Sequence, residues 1–267
     1  MSTFGSNGTV AVGEQDGIAI VSLRREAQRN AMNGELIDGL TEAAESLRSR
    51  VDAFAVVFRA DGEHFSAGAD LDDLESFFGD RSVLVTRREA ERGARLLRAI
   101  REIHQPTICA VRGVAIGAGA CIPAACDFRV AAKDARIGYA EVRMGMNLMW
   151  HAIPDLVGLV GPARARQMAM SGRLFDADRL AQWGFLDETC PADELDDRAL
   201  AWAREYASLP PLAVQMIKRS INRYAQPLGE AVMHMDADQW TLATMTEDFR
   251  ECVDAAREKR APRPTGR

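Results

Sequence analysis

A chain of 267 residues and 29.3 kDa, 47% hydrophobic and 27% charged, can bury a large core without help from disulfides or metals. This excludes the disordered, collagen-like and disulfide-rich secreted classes. A net charge of −6 with no basic stripe among interleaved aromatics argues against a nucleic-acid partner, which would require phosphate neutralisation. Five scattered cysteines without a C-x-x-C pair, and four histidines without an H-E-x-x-H pattern, give no expectation of a metal site and suit the reducing cytoplasm. The N-terminus MSTFGSNGTVAVGEQDG lacks a basic region followed by an apolar core, so no signal peptide is expected. The longest uncharged run, between Arg112 and Asp127, falls short of the ~20 residues of a membrane span.

In chain order, residues 1–9 read as a disordered start. Residues 10–12 and 18–23 are expected to form strands joined by a turn through Gly13 and Gly17, followed by a polar loop over 24–30. Asn33 is placed to cap a helix over 35–50, whose Leu36, Leu40, Ala43, Ala44 and Leu47 share one face. The run AFAVVFR (53–59) predicts a buried strand. After the loop DGEHFSAGADLDDLE come a helix over 87–103, a strand over 106–111, a glycine-rich stretch over 113–119 and a strand over 128–132. A helix starts at Pro162, just past Gly161. The alternation implies an α/β domain over 1–205. Only helical patterns follow from Leu212, broken near Gln226-Pro227, so 206–267 is expected to be a helical region ending in a solvated tail, EKRAPRPTGR. No internal sequence repeat is visible.

Two stretches carry chemistry. In HFSAGADL (64–71), small residues let backbone approach a ligand and aim N–H groups at it, although an ordinary surface turn fits the spacing equally well. In AVRGVAIGAGACIPAACD (110–127), a buried strand runs through glycines into a short helical segment, whose free N–H groups favour an anion. A dinucleotide fingerprint fails there, because Ile122 stands where the third glycine belongs. A P-loop is excluded by the absence of Gly-Lys-Ser/Thr.

Together these segments resemble the crotonase superfamily, the enoyl-CoA hydratase/isomerase fold. LRREAQRNAM (23–32), SGRLFDADRLAQWGFLDETCP (171–191) and TEDFRECVDAAREKRAPRPTG (246–266) are similar to further family segments, although Glu26 occupies a usual proline position. The resemblance implies a spiral of ββα units with a helical C-terminal region, commonly assembled as a homotrimer or homohexamer. It implies an acyl-CoA substrate and no cofactor beyond the coenzyme A that the substrate carries. It assigns the N–H groups of Ala69 and Ala118 to the thioester oxygen and Glu141 to proton transfer. Coenzyme A contacts would come from Ala67, Asp70 and Leu71, and from Arg25 and Arg29, which read equally well as solvated loop arginines.

The family's hydratases use two glutamates, and Cys121 stands where one of them belongs. Losing one acid/base group costs ~10²–10⁴ in rate, so double-bond isomerisation is favoured over hydration. A hydratase with a non-standard second acid, and a non-catalytic acyl-CoA binder, are the alternatives. Cys121 reads as packing rather than as a nucleophile. His151 reads as a second proton carrier or, more commonly, as a hydrogen-bonded structural residue. Met149, Trp150 and His151 occupy a stretch that is often glycine-rich in the family, and so would reshape the acyl pocket. Pro123 withdraws one N–H from the helix that starts at Ala118.

Overall fold

Runs of five or six apolar, β-branched residues are too short for helices and find partners as strands. The computed structural model describes residues 8–75, 81–225, 229, 231 and 233–267. The chain winds in four turns. The first is β1 (Val10–Gln15), β2 (Ile18–Leu23) and α1 (Gly34–Arg48); the second is β3 (Ala55–Ala60), α2 (Leu71–Glu75) and α3 (Val83–Arg101). The third is β4 (Thr107–Val111), β5 (Val114–Ile116) and α4 (Ala118–Ala125); the fourth is β6 (Phe128–Ala132), β7 (Arg136–Gly138) and α5 (Ala152–Ser171). Then follow β8 (Phe175–Asp176), α6 (Ala177–Trp183), β9 (Glu188–Cys190), α7 (Leu195–Ala207), α8 (Pro211–Ala225), α9 (Asp236–Thr244) and α10 (Glu247–Arg257).

The central sheet runs in the order β1-β2-β3-β4-β6-β9, parallel except for the β1–β2 hairpin. A second sheet, β5-β7-β8, is continued past β5 by single bridges, Ser66 to Ala115 and Met32 to Ala69. Each turn therefore gives a strand to the central sheet, a strand or a bridge to the second, and then a helix. This is the spiral of ββα units, and the repeat lies in the pairing rather than in recurring residues.

Apolar packing fixes the layers. Leu36, Leu40 and Leu47 of α1 and Leu96, Leu97 and Ile100 of α3 are almost wholly buried against one face of the sheet. Leu195, Ala199 and Ala203 of α7 cover the other. Asn33 caps α1 as expected, its side chain accepting the Leu36 N–H at 2.9 Å. Helices α9 and α10 fold back on the body, where Trp240, Phe249 and Val253 pack with Leu74, Ala90 and Met146. No helix among the described residues is long and apolar enough to cross a membrane.

Several boundaries differ from the sequence expectation. The first turn is Asp16-Gly17, both at positive φ (53° and 73°), while Gly13 lies inside β1. A two-residue Asp-Gly turn matches the twist of the hairpin it closes, so β1 extends further than its apolar residues do. Helix α3 begins one turn earlier than expected because Val83, Leu84 and Val85 are helical but exposed. Residues 152–160 are helical too. Pro162 follows Gly161, whose φ of 74° and ψ of 163° break α5 into two segments, as a proline at a first helical position requires. The tail is exposed yet tied down: Asp248 accepts the N–H groups of Thr265 and Gly266 at 2.6 and 2.9 Å. The expected break at Gln226-Pro227 and residues 1–7 of the start lie outside the described residues.

Candidate active site

The loop between β3 and α2 and the turn between β5 and α4 meet over a cavity of about 720 Å3. Asn30, fully buried, fastens the first loop from behind. Its side chain donates to the carbonyls of Asp61 and His64 at 2.9 and 2.8 Å and accepts the Arg25 N–H at 2.8 Å. Ser66 Oγ donates to the Asn30 carbonyl at 2.7 Å. The fate of each backbone N–H then singles out the donors. Phe65, Ser66, Ala67 and Asp70 give theirs to Arg112, Val114, Arg29 and Met32, and Gly68 gives its own to Ser66 Oγ. Between 65 and 70, Ala69 alone retains an uncommitted N–H. Between 116 and 121 the uncommitted ones belong to Ala118 and Gly119, and of these two Ala118 lines the cavity. Two residues with unpaired N–H groups, on different loops, thus line one cavity, and Ala118 adds the positive end of α4.

Glu141 lies beside them. Gly117 has φ 54° and ψ −120°, and a Cβ there would stand 2.9 Å from Glu141 Oε1. Glycine is needed for both the conformation and the approach. The carboxyl is buried, although the residue as a whole is partly exposed, and Oε2 has no hydrogen-bond partner within the protein. Desolvation therefore pushes its pKa up to about 7, only partly offset by a hydrogen bond from its own N–H. A carboxyl poised near neutrality in a cavity is suited to taking and returning a proton.

Cys121, one turn into α4, is 1% exposed and sets its Sγ 3.4 Å from the Gly117 carbonyl. Burial and then the Glu141 charge hold its thiol far above the usual range, so it is a neutral wall atom. Pro123 leaves the helix intact: α4 continues to Ala125, and the Cys126 N–H closes on the Pro123 carbonyl at 3.2 Å.

Ala67, Ala69, Asp70, Leu71, Arg25, Ala118, Cys121 and Glu141 all line the cavity. The N–H groups of Ala67 and Asp70 are already committed, however, and Arg25 is paired with Asp70 at 3.1 Å and donates to the Ala31 carbonyl. Arg29 and His151 do not line it. Arg29 is exposed and contributes its carbonyl to Ala67, while the His151 N–H donates to Asp236 at 3.0 Å. Residues that the sequence reading did not single out complete the walls: Gly93 of α3, and Met146 with Trp240 of α9, whose indole N–H points at the Met146 sulfur at 3.1 Å.

The fold and this pairing of free N–H groups with a buried carboxyl define a crotonase-type enzyme. The enoyl-CoA hydratase/isomerase family model matches residues 13–267, and the chain belongs to that family. It is 30% identical over 97% of its length to a probable enoyl-CoA hydratase, echA8, of Mycobacterium bovis, covering 98% of that protein. It is 28% identical over 96% of its length to the 2,3-dehydroadipyl-CoA hydratase of Escherichia coli, again covering 98%. A crystal structure of an enoyl-CoA hydratase/isomerase from Pseudoalteromonas atlantica superposes with a TM-score of 0.86 at 29% identity, covering 96% of this chain and all of that one.

Proposed function

We propose that this enzyme shifts the double bond of a 3-enoyl-CoA into conjugation with the thioester, in preference to adding water to a 2-enoyl-CoA. The Ala69 and Ala118 N–H groups hold the thioester oxygen. Glu141 removes a proton from C2, the negative charge spreads onto that oxygen, and the same carboxyl returns the proton at C4. Donors fixed before reaction need no reorganisation as the charge develops, and one such donor is worth ~10²–10³ in rate.

The observation that carries this reading is the solitary Glu141 carboxyl, its Oε2 without a hydrogen-bond partner, close to the free Ala118 N–H and with a neutral thiol at Cys121. One carboxyl suffices for a 1,3 proton shift. Hydration also has to position a water and deliver a second proton. The hydratase names of the relatives favour that second reading, in which another group supplies the missing acid. The substrate carries its own coenzyme A, and no further cofactor enters the mechanism.

Acyl-CoA thioesters are expected to stabilise the fold by ~2.7 kcal/mol at one hundred times the dissociation constant and so to raise the melting temperature, whereas NAD and ATP leave it unchanged. The absence of any shift across an acyl-CoA panel at millimolar concentration would remove both enzyme and binder readings.

The assembly we infer is a homotrimer or homohexamer in the cytoplasm. Helix α8 supports association: it buries none of its residues and leaves Leu212, Met216, Ile217 and Ile221 exposed. Light scattering that reads a monomer at micromolar concentration would contradict it.

A further inference from the structure

Trp150 and His151 both adopt the left-handed backbone conformation, at φ 67° and 58°. Two successive residues of this bulk hold it only where their surroundings impose it, and such strain concentrates at ligand-contacting sites. What imposes it is visible. The Asp236 carboxylate at the start of α9, 5% exposed, accepts the N–H groups of His151 and Trp150. The indole is driven onto α3 at Gly93, where a Cβ would lie 1.9–2.1 Å from three of its ring atoms. Gly93 thus provides the flat seat, and Trp150, Gly93 and Trp240 all line the same cavity as Glu141.

Two arginines reach the cavity, and both are already paired: Arg25 with Asp70, and Arg92 with Glu89 at 2.9 Å. The guanidinium of Arg92 lies against Gly34, near Asp73. Met144, Met146, Met149 and Trp240 stand with Trp150 in the lining, and among the described residues no further cation reaches it to receive a second carboxylate.

We infer that Trp150, seated on Gly93, is the end wall of the acyl pocket, that Asp236 is the positioning residue that holds it there, and that the acyl group accepted is uncharged and limited in length by the indole. This rests on the acyl-CoA reading above. Substrate length is therefore set by a side chain that α9, late in the chain, locks into place.

The test measures binding of saturated hexanoyl-, decanoyl- and hexadecanoyl-CoA by calorimetry, alongside kcat/KM on 3-enoyl-CoA esters of the same lengths. Trp150→Ala is expected to raise the preference for the longest ester over the shortest at least ~10-fold, since each methylene admitted to an apolar pocket is worth 10-fold or more. Asp236→Ala is expected to move the same ratio, and Asp236→Asn, which keeps one acceptor, to restore most of it. Trp150→Phe serves if the alanine variant does not fold. An unchanged length ratio in a folded Trp150 variant, or tight binding of a dicarboxylic acyl-CoA by the wild type, would overturn the inference. If binding ratios shift while no ester turns over, the wall stands and the catalytic reading fails. If no ester binds, both fall.

Discussion

Glu141→Gln is expected to lower isomerisation of a 3-enoyl-CoA by at least ~10²-fold while leaving thioester affinity nearly unchanged, because the substitution keeps size and hydrogen bonding but removes the base. In the wild type, kcat/KM should rise with pH and level off above about 7, following ionisation of this carboxyl. The variant should lack that limb.

The same group makes a stability prediction of definite sign. Its folded-state pKa of about 7 lies above the 4.5 of a solvated glutamate, so between those values the folded chain binds more protons than the unfolded one. Stability from this site is therefore lost as pH rises from about 4.5 through 7, by roughly 3 kcal/mol in all. Glu141→Gln escapes that loss, and should melt several degrees above wild type at pH 8 and close to it at pH 4.5. Equal melting temperatures at pH 8 would mean that the carboxyl is not desolvated. Full activity of the variant would mean that another group is the base.

Gly117→Ala should be nearly as damaging, with a fall of ~10²–10³ in kcat. The added Cβ would stand 2.9 Å from Glu141 Oε1, on a backbone at φ 54° and ψ −120° that alanine does not readily adopt. Relief of either conflict turns the Ala118 N–H or displaces the carboxyl. Steady-state kinetics that match wild type would show that these two groups do not act together.

The sequence carries the fold well where chemistry and pattern coincide. The apolar runs that became β2, β3, β4 and β6 need only their own residues to be read, as does the Asn33 cap. The glycine-bearing loops are visible as places where backbone can approach a ligand, but Ala69 and Ala118 as donors, and Glu141 among 39 acidic residues, stand out only through the family resemblance. The second sheet was not legible, because β7 and β8 are three and two residues long and two of its links are single bridges. Nor was the role of α9. Trp240 and Asp236 reach the cavity region from far along the chain, and nothing local in DADQW marks them as partners of the 146–151 stretch. Arg29 and His151 read from the sequence as either chemical or structural; neither lines the cavity, and the Arg29 carbonyl accepts from Ala67 while the His151 N–H donates to Asp236.

The central claim, that one carboxyl beside two free N–H groups performs a proton shift without a second acid, is tested most directly by giving the wild-type enzyme a 3-enoyl-CoA and a trans-2-enoyl-CoA of equal length and comparing the two values of kcat/KM. The expected result is isomerisation exceeding hydration by at least ~10²-fold, since the missing partner at Cys121 costs that much. Hydration as fast as isomerisation, or faster, would contradict it.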